Sequence, residues 1–148
     1  MIWIAIAAII FTLDYFIKRW AKKELSSQEK REIGNTGFFF QLTRNYGFAC
    51  NRLDSKPMVV KVLHTLVIVV IGFYALLEVF FKKGKGCTAF GMACILGGGM
   101  SNWYDRVKQG YVVDYLGLPV FKKLLFNLSD LFVFLGSVFL LLGELIGE

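Results

Sequence analysis

Apolar residues gather along the chain into four runs, at 1–18, 58–81, 88–104 and 128–146, separated by segments that hold most of the charge. Each run reaches or approaches the roughly 20 residues that a helix needs to cross a hydrocarbon core. Four membrane-spanning helices are therefore predicted. The first run has no basic residue ahead of its apolar part, and Asp14, Tyr15, Lys18 and Arg19 stand where a small-residue cleavage site would be. It reads as a retained first span rather than a secretion signal.

Residues 19–57 form the one sizeable polar segment. It begins with the charged stretch KRWAKKELSSQEKREIGN, of interfacial, amphipathic character, and turns at Gly34-Asn35. The aromatic- and Thr-rich stretch TGFFFQLTRNYGFACNRL follows, with Gly37 and Gly47 as breakers, and predicts two short strands around a turn. The fold class expected is an all-α membrane protein, with four transmembrane helices and a small extracytoplasmic β-platform, in a single domain over 1–148. Pro57 opens the second span, a place the first turn of a helix tolerates. Lys61 and Glu78 snorkel from that span's two ends, and the lone histidine, His64, reads as a packing or interfacial residue. Lys82-Lys83-Gly84-Lys85-Gly86 closes the span as a tight basic turn. Gly97-Gly98-Gly99 in the third span suits close helix contact in lipid. No Lys-Ser/Thr follows these glycines, as a phosphate-binding loop requires.

The chain is 56% apolar, which excludes an ordinary soluble globule. Its net charge of +6 is scattered over short loops, a distribution suited to anionic headgroups and not to nucleic acid. Cys50, Cys87 and Cys94 show no metal-ligand spacing. Cys87 and Cys94 read as small core residues, while Cys50 lies in a loop and stays open. With no Ser/His set, nucleophilic Cys motif or metal-ligand cluster in view, neither metal nor cofactor is expected.

The remaining chemistry belongs to the carboxylates between Gly97 and Asp130, and to Asp14. Asp14 and Lys18 sit at i and i+4 on one helix face, either anchoring the helix at the interface or bracing a site. Asn102, Asp105 and Arg106 share a face at i, i+3 and i+4; the last two are either a boundary pair or site organisers. Asp114 lies in a loop expected over 107–126, inside the apolar string YVVDYLGL, where partial burial is expected to raise its pKa. Asn127 suits a helix N-cap with Asp130 at the third helical position. Two carboxylates held close share one proton, so that one serves as base and the other as acid. Asp114 and Asp130 fit that division for peptide hydrolysis without a covalent intermediate. A non-catalytic four-helix membrane protein, such as a small carrier whose acids bind ions or pair helices, is the alternative.

Taken together, these motifs resemble those of the lipoprotein signal peptidases (signal peptidase II), bacterial membrane aspartyl proteases. Asp14-x-x-x-Lys18 is similar to the family's first motif, and Asn45-Tyr46-Gly47-Phe48-Ala49 to its Asn-x-Gly-x-Ala element. Gly97 to Arg106, GGGMSNWYDR, is similar to Gly-Gly-Ala-x-Gly-Asn-x-x-Asp-Arg. Gly110 to Tyr115 corresponds to Gly-x-Val-x-Asp-Phe, and Phe126 to Asp130 to Phe-Asn-x-Ala-Asp. The resemblance implies a catalytic dyad of Asp114 and Asp130. It implies that Asn45, Gly47, Asn102, Asp105, Arg106 and Asn127 position substrate or hold the dyad, and that Asp14 and Lys18 brace the site. The implied substrate is a prolipoprotein signal peptide ending before a diacylglyceryl-modified cysteine, with its lipid tails against the bundle and the 36–52 platform above. Globomycin-type cyclic peptides are the implied inhibitors. The implied location is the bacterial cytoplasmic (inner) membrane, crossed several times, with the active site on the extracytoplasmic face. An inactive homologue that binds lipidated peptides without cutting them is a further alternative.

The chain departs from the family pattern at Tyr15 (usually Gln), Cys50 (aromatic), Gly99 (Ala), Ser101 (Gly) and Ser129 (Ala). The Ser129 hydroxyl is expected to bond Asp130. The family's orientation puts the 82–87 turn in the cytoplasm and 19–57 and 105–127 outside. Lys and Arg number three in the turn, eight in 19–57 and four in 105–127. The positive-inside rule favours the reverse orientation; the family's is adopted because a lipoprotein precursor is reached from outside.

Overall fold

A computed structural model of the chain describes residues 2–47, 54–77, 86–118 and 124–147. Cys50, Glu78, the Phe48-Ala49 end of the second motif and the basic turn as far as Lys85 lie outside the described residues. The helices are α1 (Ile2–Glu24), α2 (Pro57–Leu77), α3 (Gly86–Gln109) and α4 (Leu128–Leu145). The strands are β1 (Arg31–Glu32), β2 (Phe39–Asn45), β3 (Val112–Gly117) and β4 (Leu125–Phe126). The third helix is central, packing against α1, α2 and α4.

Helices α2 and α4 are long and apolar enough to cross a membrane. Helices α1 and α3 have the length, at 23 and 24 residues, but carry more polar and charged positions. Most of α2 turns outward as bare hydrocarbon, with Val69, Val70 and Phe73 each more than 60% exposed. Such a continuous apolar surface needs a lipid solvent. Small residues bring α3 and α4 together. A Cβ on Gly98 would stand 2.5 Å from the Ser129 carbonyl oxygen, and one on Gly136 would stand 2.6 Å from that of Gly91.

The structure differs from the sequence expectation in two places. The first helix does not stop near residue 18; it runs to Glu24 through Lys, Ala and Glu, all good helix formers. The added turn has a packing role, because Ala21 is fully buried against Val113 and Tyr115. The 107–126 segment, in turn, is not a simple loop. Gly110 takes φ 81°, stopping α3, and the β-branched Val112-Val113 that follows enters the sheet as β3.

The sheet is antiparallel in the order β1-β2-β3-β4. The aromatic-rich segment supplies β2, and its partner strands come from residues before it and from the 112–117 segment. Thr43 faces Asp114 and Asn45 faces Val112, with an irregularity between Phe40 and Thr43. Strand β3 is therefore held between β2 and the helix ends, and carries Asp114 to them.

Gly98→Ala and Gly136→Ala are each expected to destabilise the protein by about 1–3 kcal/mol through overpacking. Gly72→Ala, with nothing within 4 Å of the added carbon, is expected to be neutral or stabilising by up to about 1 kcal/mol. Thermal unfolding of the three variants in one detergent checks this.

Candidate active site

The site is built around Lys18, which is 2% exposed. Its ammonium lies 2.8 Å from Asp14 Oδ2 and 3.1 Å from Asp105 Oδ2. It donates to Asn102 Oδ1 at 2.7 Å and Ser101 Oγ at 3.3 Å. An ammonium removed from water is tolerated only when charge and hydrogen bonds compensate it. Asp14 and Lys18 thus form a buried pair reaching into α3, not an anchor at the interface. Asp105 likewise pairs with Lys18 and not with its neighbour Arg106, and also accepts from Val113 N at 3.3 Å.

Asp14 is completely buried and collects donors from three elements. Its Oδ2 accepts from Ser101 Oγ at 2.6 Å and from Ser129 Oγ at 2.5 Å, and its Oδ1 from Ser129 N at 3.3 Å. The Tyr115 side chain bonds Asp14 too, while its hydroxyl accepts from Leu128 N at 3.0 Å. Burial and the nearby Asp14 charge push the Tyr115 phenol above its ordinary pKa. The expectation that Ser129 bonds Asp130 is therefore corrected. The first turn of α4 aims the Ser129 side chain toward α1, and Asp14 accepts its hydrogen bond.

Asn127 links Asp114 and Asp130. Its side-chain nitrogen donates to Asp114 Oδ1 at 2.8 Å, and its backbone N–H donates to Asp130 Oδ2 at 3.1 Å. Asp130 N returns a bond to Asn127 Oδ1 at 3.0 Å, so the expected N-cap and its reciprocal partner are both present. The capping box thereby belongs to the site itself. Asn45 donates to Asp114 Oδ2 at 3.0 Å, and Asn102 to Asp130 Oδ1 at 2.8 Å. Arg106 donates to the Gly47 carbonyl at 2.7 Å and lies 3.2 Å from His64 Nδ1, with the Asp114, Asp130 and Asp105 charges close enough to act on it. It joins α2 and α3 to the turn that follows β2.

Asp114 is 2% exposed, and burial, reinforced by the adjacent Asp130 charge, raises its pKa from 3.8 to about 7. The hydrogen bonds from Asn45 and Asn127 oppose that rise without cancelling it. All ten residues singled out from the sequence belong to one contiguous network. Ser101, Ser129, Tyr115 and His64 also belong to it, and the sequence pattern had not marked them as site residues. The two serines carried a visible signal as hydroxyls in small-residue positions. Nothing local marked Tyr115, whose partners are on α1 and α4.

A helical bundle with apolar outer faces, and with carboxylates gathered beside a small sheet, is a fold shared with solved structures described as a bacterial membrane enzyme. Two solved structures described in those words superpose on the chain with TM-scores of 0.82, at 20% and 19% identity. They cover 97% of this chain, and 87% and 92% of their own lengths. The family described as Signal peptidase (SPase) II matches residues 6–146, and the chain belongs to that family. The lipoprotein signal peptidase of Dichelobacter nodosus is 31% identical over 142 residues, covering 95% of this chain and 91% of the relative. That of Clostridioides difficile is 30% identical over 148 residues, covering 100% and 97%.

Ser101→Ala and Ser129→Ala are each expected to cost about 1.5–3 kcal/mol, as bonds to a charged acceptor do. Because both hydroxyls serve one oxygen, the double variant is expected to cost more than the sum, by about 0.5–3 kcal/mol. A double-mutant cycle in thermal unfolding measures the excess. A second expectation concerns pH. The folded chain holds a proton on Asp114 up to about pH 7 that the unfolded chain releases near 4. Stability should therefore fall as pH rises between those values, by at most about 1.4 kcal/mol per unit, and level off above. Asp114→Asn should remove that slope.

Proposed function

We propose that this chain is a membrane aspartyl endopeptidase that removes signal peptides from diacylglyceryl-modified prolipoproteins, cutting on the amino side of the lipidated cysteine. The observation that carries the reading is the double donation from Asn127, which ties the buried Asp114 carboxylate and the half-buried Asp130 carboxylate to one residue. The names of the curated relatives supply the substrate class. In this reading all four helices cross the bacterial cytoplasmic membrane, and the sheet end faces outward.

The pair shares one proton, carried by Asp114. Asp130 takes a proton from water as its oxygen attacks the scissile carbonyl carbon, while Asp114 gives its proton to the carbonyl oxygen. The resulting gem-diol collapses when Asp130 passes its proton to the cysteine nitrogen. The C–N bond then breaks, and a diol proton returns to Asp114. Asn45, Asn102 and Asn127 hold the carboxylates through these steps, and Lys18 fixes Asn102. The diacylglyceryl chains lie against the apolar outer faces, and globomycin-type peptides inhibit by occupying the dyad.

The test is cleavage of a diacylglyceryl-modified prolipoprotein peptide in detergent or lipid. Asp114→Asn and Asp130→Asn are each expected to lower turnover about 100- to 10,000-fold. In the unaltered protein, turnover should decline as pH rises through about 7, where Asp114 loses its proton. A well-folded unaltered protein that binds the peptide without cutting it would instead identify a non-catalytic homologue.

A further inference from the structure

Away from the dyad, a cleft of about 440 Å³ opens between the C-terminal ends of α1 and α3. Arg19, Lys22 and Lys108 line it together with Tyr15, Tyr104 and Gln109, and its inner wall is the Lys18–Asp105 pair. The ion pairs among the described residues are those of Lys18 with Asp14 and Asp105, and of Lys23 with Glu24. Among the described residues, none of the three outer cations meets a carboxylate within ion-pair distance. Each uses one donor on a neutral acceptor: Arg19 on Tyr15 Oη at 3.4 Å, Lys22 on Gln109 Oε1 at 3.1 Å and Lys108 on Tyr104 Oη at 2.9 Å. The rest of their donors are left for water or for an anion. Cations in the last turn of a helix complement its dipole, but that function does not call for a concave site with three of them gathered around it.

An aromatic layer lies beneath the charges. The Tyr104 ring packs edge-on against Tyr15 at 5.8 Å and against Phe11 at 5.9 Å. Phe11 and Ile4, the latter 72% exposed, share the face of α1 that carries Tyr15 and Lys22, at spacings of four and seven residues, and continue the apolar surface down the helix. A polyvalent oxygen anion attached to hydrocarbon matches both parts, because the cations take phosphate oxygens and the outer faces take acyl chains. A free phosphate would use only the first.

We propose that this cleft is a binding site for the phosphate headgroup of an anionic phospholipid, with the acyl chains along the outer face of α1. The site explains why basic residues crowd the end of the bundle that also carries the acids. The inference stands apart from the peptidase reading, because it is read out as lipid retention and not as turnover.

The experiment is native mass spectrometry of the full chain in a neutral detergent, with phosphatidylglycerol and phosphatidylcholine of equal chain length in competition. The unaltered protein is expected to retain phosphatidylglycerol over phosphatidylcholine by on the order of tenfold or more, as about three cations near an anionic lipid allow. Arg19→Gln/Lys22→Gln/Lys108→Gln should lose most of that preference. The control Lys23→Gln/Lys30→Gln/Arg31→Gln removes the same charge from outside the cleft and should keep it. Lys22→Gln/Lys108→Gln gives the same comparison should the triple variant unfold. An unchanged preference in the cleft variants, or an equal loss in the control, overturns the site. Displacement of the lipid by glycerol phosphate at equal concentration would overturn the lipid assignment in favour of a small-anion site.

Discussion

The buried ammonium of Lys18 is the constraint on which the rest of the structure depends. Once α1 carries it into a bundle surrounded by hydrocarbon, it must be neutralised from inside. Asp14 comes from its own helix, while Asp105, Asn102 and Ser101 come from α3. Asp14 in turn captures Ser129 at the mouth of α4. Three helices are thus brought into one register by a single charge and the groups that satisfy it. In lipid, where apolar faces gain little by meeting one another, such polar contacts and the close glycine packing of α3 against α4 select the arrangement.

The site uses the same bonds that terminate and join its elements. Asn127 caps α4 and spaces the acids in a single geometry. Asp105 accepts the backbone N–H of Val113, tying α3 to the strand that carries Asp114. Counting side chains, Lys18 and Arg106 face four carboxylates: Asp14, Asp105, Asp114 and Asp130. Full ionisation would leave this inner cluster of six groups with two excess negative charges. A proton held by Asp114 reduces that excess, a physical reason for its pKa near neutrality beyond its own burial.

The Ser101 and Ser129 hydroxyls show how a bundle absorbs polarity without losing order. Each stands where a smaller side chain would leave Asp14 with one donor fewer. Both converge on the same oxygen, one from α3 and one from α4. They add to the contacts that already hold α1, and leave Asp130 to Asn102 and Asn127.

Much of this protein was legible along the chain. Apolar runs with a helix period, a proline at the start of α2, the Asn127 cap and the i, i+4 spacing of Asp14 and Lys18 are all local facts, decided within a few residues of each other. The acids stood out for the same reason, since a carboxylate inside apolar sequence is costly wherever the chain goes. Only the tertiary structure decided which groups meet that cost. Ser101 reaches Asp14 across 87 positions and Ser129 across 115, and nothing in either neighbourhood records the partner. The 112–117 segment became a strand because β2 offered it a ladder and α1 a floor at Ala21, both far off in sequence. The backbone's own preferences are local, but the hydrogen bonds and burial that overrule them are made between elements.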